Sequence, residues 1–95
     1  MKLATKLWKY PGPAAWYFLT IPKKESVAIK KKQEGKLRRG WGSVRVRVVI
    51  GTTSWDTSVF PDSSSGCYLL PVKALVRKKE GLMEGENVAY RVQTL

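Results

Sequence analysis

Val44-Arg45-Val46-Arg47-Val48-Val49-Ile50-Gly51-Thr52-Thr53-Ser54-Trp55-Asp56-Thr57-Ser58-Val59-Phe60 is the stretch that decides the fold. Val44, Val46, Val48 and Ile50 fall on one face of an extended chain and Arg45 and Arg47 on the other, the period of two of a half-exposed strand. Gly51-Thr52-Thr53 reads as a tight turn into Ser54–Phe60, where Trp55, Thr57 and Val59 share a face. The two strands are expected to form a hairpin.

Outward from this hairpin the pattern stays β-rich. Leu3 to Tyr10 mixes Leu, Thr and Trp with lysines, as in a strand wetted on one side, and Pro11-Gly12-Pro13 ends it. Trp16-Tyr17-Phe18-Leu19-Thr20-Ile21 is a continuous apolar run, expected as a strand covered on both faces. Cys67-Tyr68-Leu69-Leu70 is a short strand, and Val88, Tyr90 and Val92 alternate in a last one. Two helices interrupt the strands. The first opens at Pro22 and runs to Gln33, with a thin stripe of Val27, Ala28 and Ile29. The second is expected from Pro71 to Glu80, with Val72, Leu75 and Val76 at helical spacing and Gly81 as its stop. Pro61-Asp62-Ser63-Ser64-Ser65-Gly66 reads as a polar loop in which Asp62 bonds its own backbone. No internal repeat or domain boundary is visible, so residues 1–95 read as one domain. The fold class is mainly β, a small α+β domain of about six strands with two short helices.

Charge is the unusual quantity: 18 Lys and Arg against seven Asp and Glu give a formal charge of +11. Such an excess repels itself in the folded state and points to an anionic partner. Local chemistry agrees at Arg38-Arg39-Gly40-Trp41-Gly42-Ser43. Two glycines let backbone N–H groups converge on an anion, the arginines add forked contacts, and Trp41 offers a stacking surface. Lys30, Lys31, Lys32 and Lys36 extend this positive region, Arg45 and Arg47 carry it across the sheet, and Lys73 and Arg77 head a second cluster with Lys78 and Lys79. A phosphate backbone would lie across both clusters if they share a face.

Catalysis is not expected. The chain has no histidine, the commonest acid–base group and transition-metal ligand. The lone Cys67 reads as a small packed side chain rather than a nucleophile. Asp56 and Asp62 do not form a carboxylate pair, and no metal spacing or cofactor motif is present. A single cysteine, no signal peptide and no membrane-length apolar run suit a cytoplasmic protein. Trp8, Trp16 and Trp55 are assigned to core or barrel-end packing.

Five phrases, in order, resemble a bacterial and archaeal family of small barrels known as domain of unknown function nineteen-oh-five. They are Trp16–Pro22, Arg39–Val44, Trp55–Pro61, Gly66–Lys73 and Gly81–Val88. The resemblance implies a split β-barrel with short helices at its ends, akin to the swapped-hairpin barrels of DNA-binding regulators. It implies no activity. Three readings follow: a barrel binding nucleic acid or another polyanion, which the charge favours; a module for a small anionic or aromatic ligand held by Arg39 and Trp41; and a structural or protein-interaction domain, as a homodimer through a strand edge.

Overall fold

A computed structural model describes residues 1–33 and 42–95. The described residues form six strands and two α-helices in the order β1 (Lys2–Lys9), β2 (Tyr17–Thr20), α1 (Lys23–Gln33), β3 (Val44–Ile50), β4 (Thr53–Asp62), β5 (Cys67–Pro71), α2 (Ala74–Glu80) and β6 (Asn87–Thr94). All neighbours are antiparallel, and the strands close into a barrel ordered β1-β2-β5-β4-β3-β6. The mainly β barrel expected from sequence is the fold.

The β3–β4 hairpin forms as its alternation dictates. Ile50 pairs with Thr53 across Gly51-Thr52, and Gly51 sits at φ 58°, a conformation that favours glycine. That turn sets the register, so Val44, Val46, Val48 and Ile50 are buried while Arg45 and Arg47 face water. Leu7, Leu19, Val59, Tyr68, Leu70, Val88, Tyr90 and Val92 add to the interior from the other strands.

Closure depends on two long strands that each serve two ladders. The first part of β1, Lys2–Lys6, pairs with β6, and Leu7–Lys9 pairs with β2. Likewise β4 pairs along Thr53–Val59 with β3, then along Phe60–Asp62 with β5. The barrel is therefore two sheets that share bent strands, with a seam beside each unshared stretch.

This arrangement is an internal repeat that the sequence hides. The units β1-β2-α1-β3 and β4-β5-α2-β6 exchange under a pseudo-twofold through the Leu19↔Leu70 pair, and the strand order is unchanged by the exchange. Main-chain bonds match as well: Ile21 N–H donates to the Tyr68 carbonyl and Val72 N–H to the Tyr17 carbonyl, each at 2.9 Å. Because β2 and β5 run antiparallel, they deliver α1 and α2 to opposite ends of the barrel.

Several expectations need correction. The Trp16–Ile21 run is not covered on both faces: Leu19 and Ile21 are fully buried, but Phe18 looks out from the barrel wall, and Trp16 is 55% exposed rather than packed in the core. Pro71 does not open α2; it closes β5 opposite Phe18, where its missing N–H is no loss, and the helix begins at Ala74. Of the α2 stripe, Val72 and Val76 are buried but Leu75 is 68% exposed. In α1, Ile29 and Ser26 face inward, while Val27 and Ala28 lie outside. Pro61 and Asp62 extend β4 instead of belonging to the loop.

Gly81 does end α2. At φ 65° it lets Leu82 N–H reach the Arg77 carbonyl (2.8 Å) and its own N–H the Lys78 carbonyl (3.4 Å), and Leu82 packs back on the core.

Candidate anion-binding and aromatic surfaces

The expectations at Lys36, Arg38, Arg39, Gly40 and Trp41 lie outside the described residues. Gly42, at φ 70°, and the half-buried Ser43 lead into β3 near Pro61, at the α1 end of the barrel. Lys30, Lys31 and Lys32 are exposed in the last turn of α1, at that same end. Lys73, Arg77, Lys78 and Lys79 belong to the α2 end. The two basic clusters thus sit at opposite ends of the barrel, and a ligand touching both would have to run its full length.

Arg45 and Arg47 lie on the outer wall between these ends. Arg47 is committed to Asp56, with Nε and Nη2 donating to the two carboxylate oxygens at 2.8 and 3.1 Å. The hydrogen bond from Arg47 holds the Asp56 carboxyl below the usual aspartate range. The two-residue turn at Gly51-Thr52 places these residues opposite each other, whereas the three-residue turn Gly51-Thr52-Thr53 expected from sequence would set a different register, because Thr53 belongs to β4. Arg45 Nη1 makes a 3.3 Å bond to the Ser58 hydroxyl and carries no carboxylate partner among the described residues.

The barrel wall formed by β1, β2, β5 and the end of β4 is aromatic on its outside. Trp8 lies opposite Phe18, and their ring centroids are 5.3 Å apart. Trp16 stacks on Phe18 at 6.1 Å with planes 9° apart, and Tyr10 meets Phe18 edge-on at 6.2 Å. Trp8 Nε1 donates to Thr20 Oγ1 at 2.9 Å, which fixes the indole on the wall. The surface continues through Leu69 to Phe60 by the pairings of β2 and β4 with β5. Tyr10, Trp16 and Phe60 are exposed. Lys6 and Lys9 from β1 and Lys73 before α2 are exposed around it.

A cleft of about 450 Å³ opens beside this wall at the α2 end, lined by Trp16, Tyr17, Trp55, Asp56, Thr57, Pro71, Val72, Lys73 and Arg77 among others. It occupies the seam where β5 has left β4 and the chain turns into α2. The Arg77 guanidinium lies 3.7 Å from the centroid of the Tyr17 ring, and its Nε donates to the Val72 carbonyl at 3.2 Å. A groove of about 400 Å³ on the wall of β1, β6 and β3 is lined by Lys2, Val49, Arg91 and their neighbours, with Tyr90 its one aromatic among the described residues.

Sequence reading singled out Lys73 and Arg77 but not their surroundings. Trp16, Tyr17 and Trp55 are far apart in the chain, and only barrel closure brings them together. Cys67 is half-buried in β5, and Asp62 accepts hydrogen bonds from the Ser64 and Ser65 hydroxyls, which lower its pKa.

No helix among the described residues is long and apolar enough to cross a membrane. A family model described as a domain of unknown function (DUF1905) matches residues 4–92. No curated protein matches the chain.

Proposed function

The chain belongs to the DUF1905 family, and as that description names no function, we propose from the geometry that the domain binds single-stranded nucleic acid on its aromatic wall. The observation that carries this reading is the outward-facing set Trp8, Tyr10, Trp16 and Phe18 on a protein of charge +11. Water-exposed aromatic rings on a sheet give successive bases flat partners, and surrounding lysines attract the phosphates between them. A duplex hides its base faces, so it gains only the electrostatic part.

The reading is one of binding, in a cytoplasmic setting, rather than turnover. It moves the contact surface from the two basic clusters to the wall between the barrel ends. Lys6, Lys9 and Lys73 supply local charge, and the remaining cations steer the strand from a distance.

The test is fluorescence anisotropy of a labelled single-stranded oligonucleotide. Binding is expected at about 50 mM salt and should weaken steeply by about 200 mM. Tyr10→Ala and Phe60→Ala should each weaken it by about tenfold, since one base–aromatic stack contributes ~1–3 kcal/mol. Equal affinity for a duplex of the same length, or no effect of either substitution, would overturn the proposal.

A further inference from the structure

The pseudo-twofold makes the cleft interpretable, because its counterpart at the other end of the barrel shows what a sealed seam requires. There Ser26, five residues after Ile21, is fully buried. Its Oγ donates to the Ile21 carbonyl and accepts from the Tyr68 N–H, both at 2.9 Å. One hydroxyl thus satisfies a main-chain acceptor and a main-chain donor together.

Arg77 stands five residues after Val72, the equivalent place at the α2 end, and takes the Val72 carbonyl as Ser26 takes that of Ile21. A guanidinium has only donors. Tyr17 corresponds to Tyr68. The bond from Tyr10 N–H to the Trp16 carbonyl at 2.9 Å sets the ladder alternation, which turns the Tyr17 N–H and C=O toward β5. The Tyr17 carbonyl receives the Val72 N–H, but the reciprocal bond from Tyr17 N–H to Val72 is not made. Among the described residues the Tyr17 N–H therefore has no main-chain acceptor, and the Arg77 guanidinium, lying over the Tyr17 ring, spends only its Nε on a hydrogen bond. Exposed Lys73 adds a third positive group, and Asp56, the one carboxylate in the lining among the described residues, is neutralised by Arg47.

From this we infer that the α2-end cleft is a binding site for a small planar ring carrying an anionic oxygen group, a carboxylate or a phosphate. The anionic oxygens accept from Tyr17 N–H and Arg77, taking the acceptor role that Ser26 Oγ plays at the opposite end. Trp16 and Trp55 provide flat apolar faces for the ring. The volume, about 450 Å³, lies within the range of small-molecule sites, roughly 300–1,000 Å³. This site goes beyond the nucleic-acid reading and stands without it.

Titration of the intrinsic tryptophan fluorescence tests the inference. The probes are the four nucleoside 5′-monophosphates and two aromatic carboxylates, benzoate and indole-3-carboxylate, with adenosine and inorganic phosphate as controls for ring alone and anion alone. At least one charged ring is expected to saturate below about 1 mM, a binding free energy near −4 kcal/mol, with both controls at least about tenfold weaker, a difference of ~1.4 kcal/mol. Which series binds separates a phosphate ligand from a carboxylate one.

Arg77→Ser gives Tyr17 N–H an acceptor and removes the cation, so it should weaken binding at least about tenfold. Lys73→Ala, at an exposed position that leaves folding intact, should weaken it severalfold. Saturation by none of the charged rings, or undiminished binding in either variant, would overturn the site. Tyr10→Ala and Phe60→Ala should leave this titration unchanged while they weaken oligonucleotide binding, so the two proposals fail independently.

Discussion

The two ends of the barrel are built to one plan and finished differently. At the α1 end, Ser26 and Ile29 turn inward, Tyr68 is buried, and Thr5 Oγ1 lies 2.9 Å from the Tyr90 hydroxyl across the seam. At the α2 end, the shorter helix places Arg77 where Ser26 would be, and Trp55, Thr57 and Tyr17 remain half-exposed around a cleft. Same topology and same main-chain bonds, with a hydroxyl at one end and a guanidinium at the other, yield a plug and a mouth. The difference teaches that one barrel topology presents a closed or an open end according to which residues occupy equivalent seam positions.

The largest effect should come from the residues that seal or fail to seal each end. Ile29 is 0% exposed in α1, whereas Leu75 in α2 is 68% exposed. Ile29→Ala should lower the unfolding free energy by ~2–5 kcal/mol through lost burial and the cavity left behind. Leu75→Ala should change it by less than ~0.5 kcal/mol. Urea denaturation of the two variants measures both. Equal costs would mean that the α2 helix is packed as tightly as α1, and the contrast between the ends would collapse.

A smaller effect sharpens the same contrast at a single atom. Ser26→Ala removes the hydroxyl that bridges the Ile21 carbonyl and the Tyr68 N–H, leaving both groups buried without it. The expected cost is ~1–3 kcal/mol, the penalty of a buried unsatisfied polar group. Hydrogen exchange at the Tyr68 amide should accelerate in the same variant, whereas that of Val72, at the opposite seam, should hold its wild-type protection relative to global stability.

How much of this could be read from the chain divides along the same line. The β3–β4 hairpin was legible because alternation and a glycine turn are local signals, and Gly81 marked its helix end for the same reason. The run Trp16–Ile21 misled because an apolar stretch looks alike whether both faces are covered or one face is an exposed aromatic wall. Leu75 misled because helical spacing reports a face, and α2 is too short to bury all of it. The repeat is not legible in the sequence because its equivalent positions hold unlike residues: Ser26 and Arg77, Leu3 and Trp55, Val48 and Tyr90 share places in the register but little chemistry. The cleft was beyond local reading altogether, because segments around 16–17, 55–57 and 71–77 meet only when the barrel closes.

The smallest expected effect concerns the rim of the mouth. Arg47 and Asp56 form a forked pair on exposed strands, and the hydrogen bond from Arg47 lowers the pKa of Asp56. A carboxyl whose pKa falls on folding contributes stability that is present above its unfolded value. That contribution is lost as pH drops through the lowered folded value. An NMR titration of the Asp56 side chain should therefore show a midpoint below that of an unstructured aspartate, and Arg47→Gln should bring it back toward the ordinary range. Both groups are solvent-exposed, so the pair should matter little to folding and more to the charge of the cleft. Once Asp56 loses Arg47, its uncompensated carboxylate stands in the lining beside Lys73 and Arg77, and anion binding in the cleft should weaken in Arg47→Gln at neutral pH. It should recover as the pH is lowered toward the aspartate pKa, provided the ligand itself keeps its charge there. A variant that restores the Asp56 midpoint without weakening the anion would show that the rim carboxylate does not reach the site, and would confine the charge of the mouth to Lys73 and Arg77.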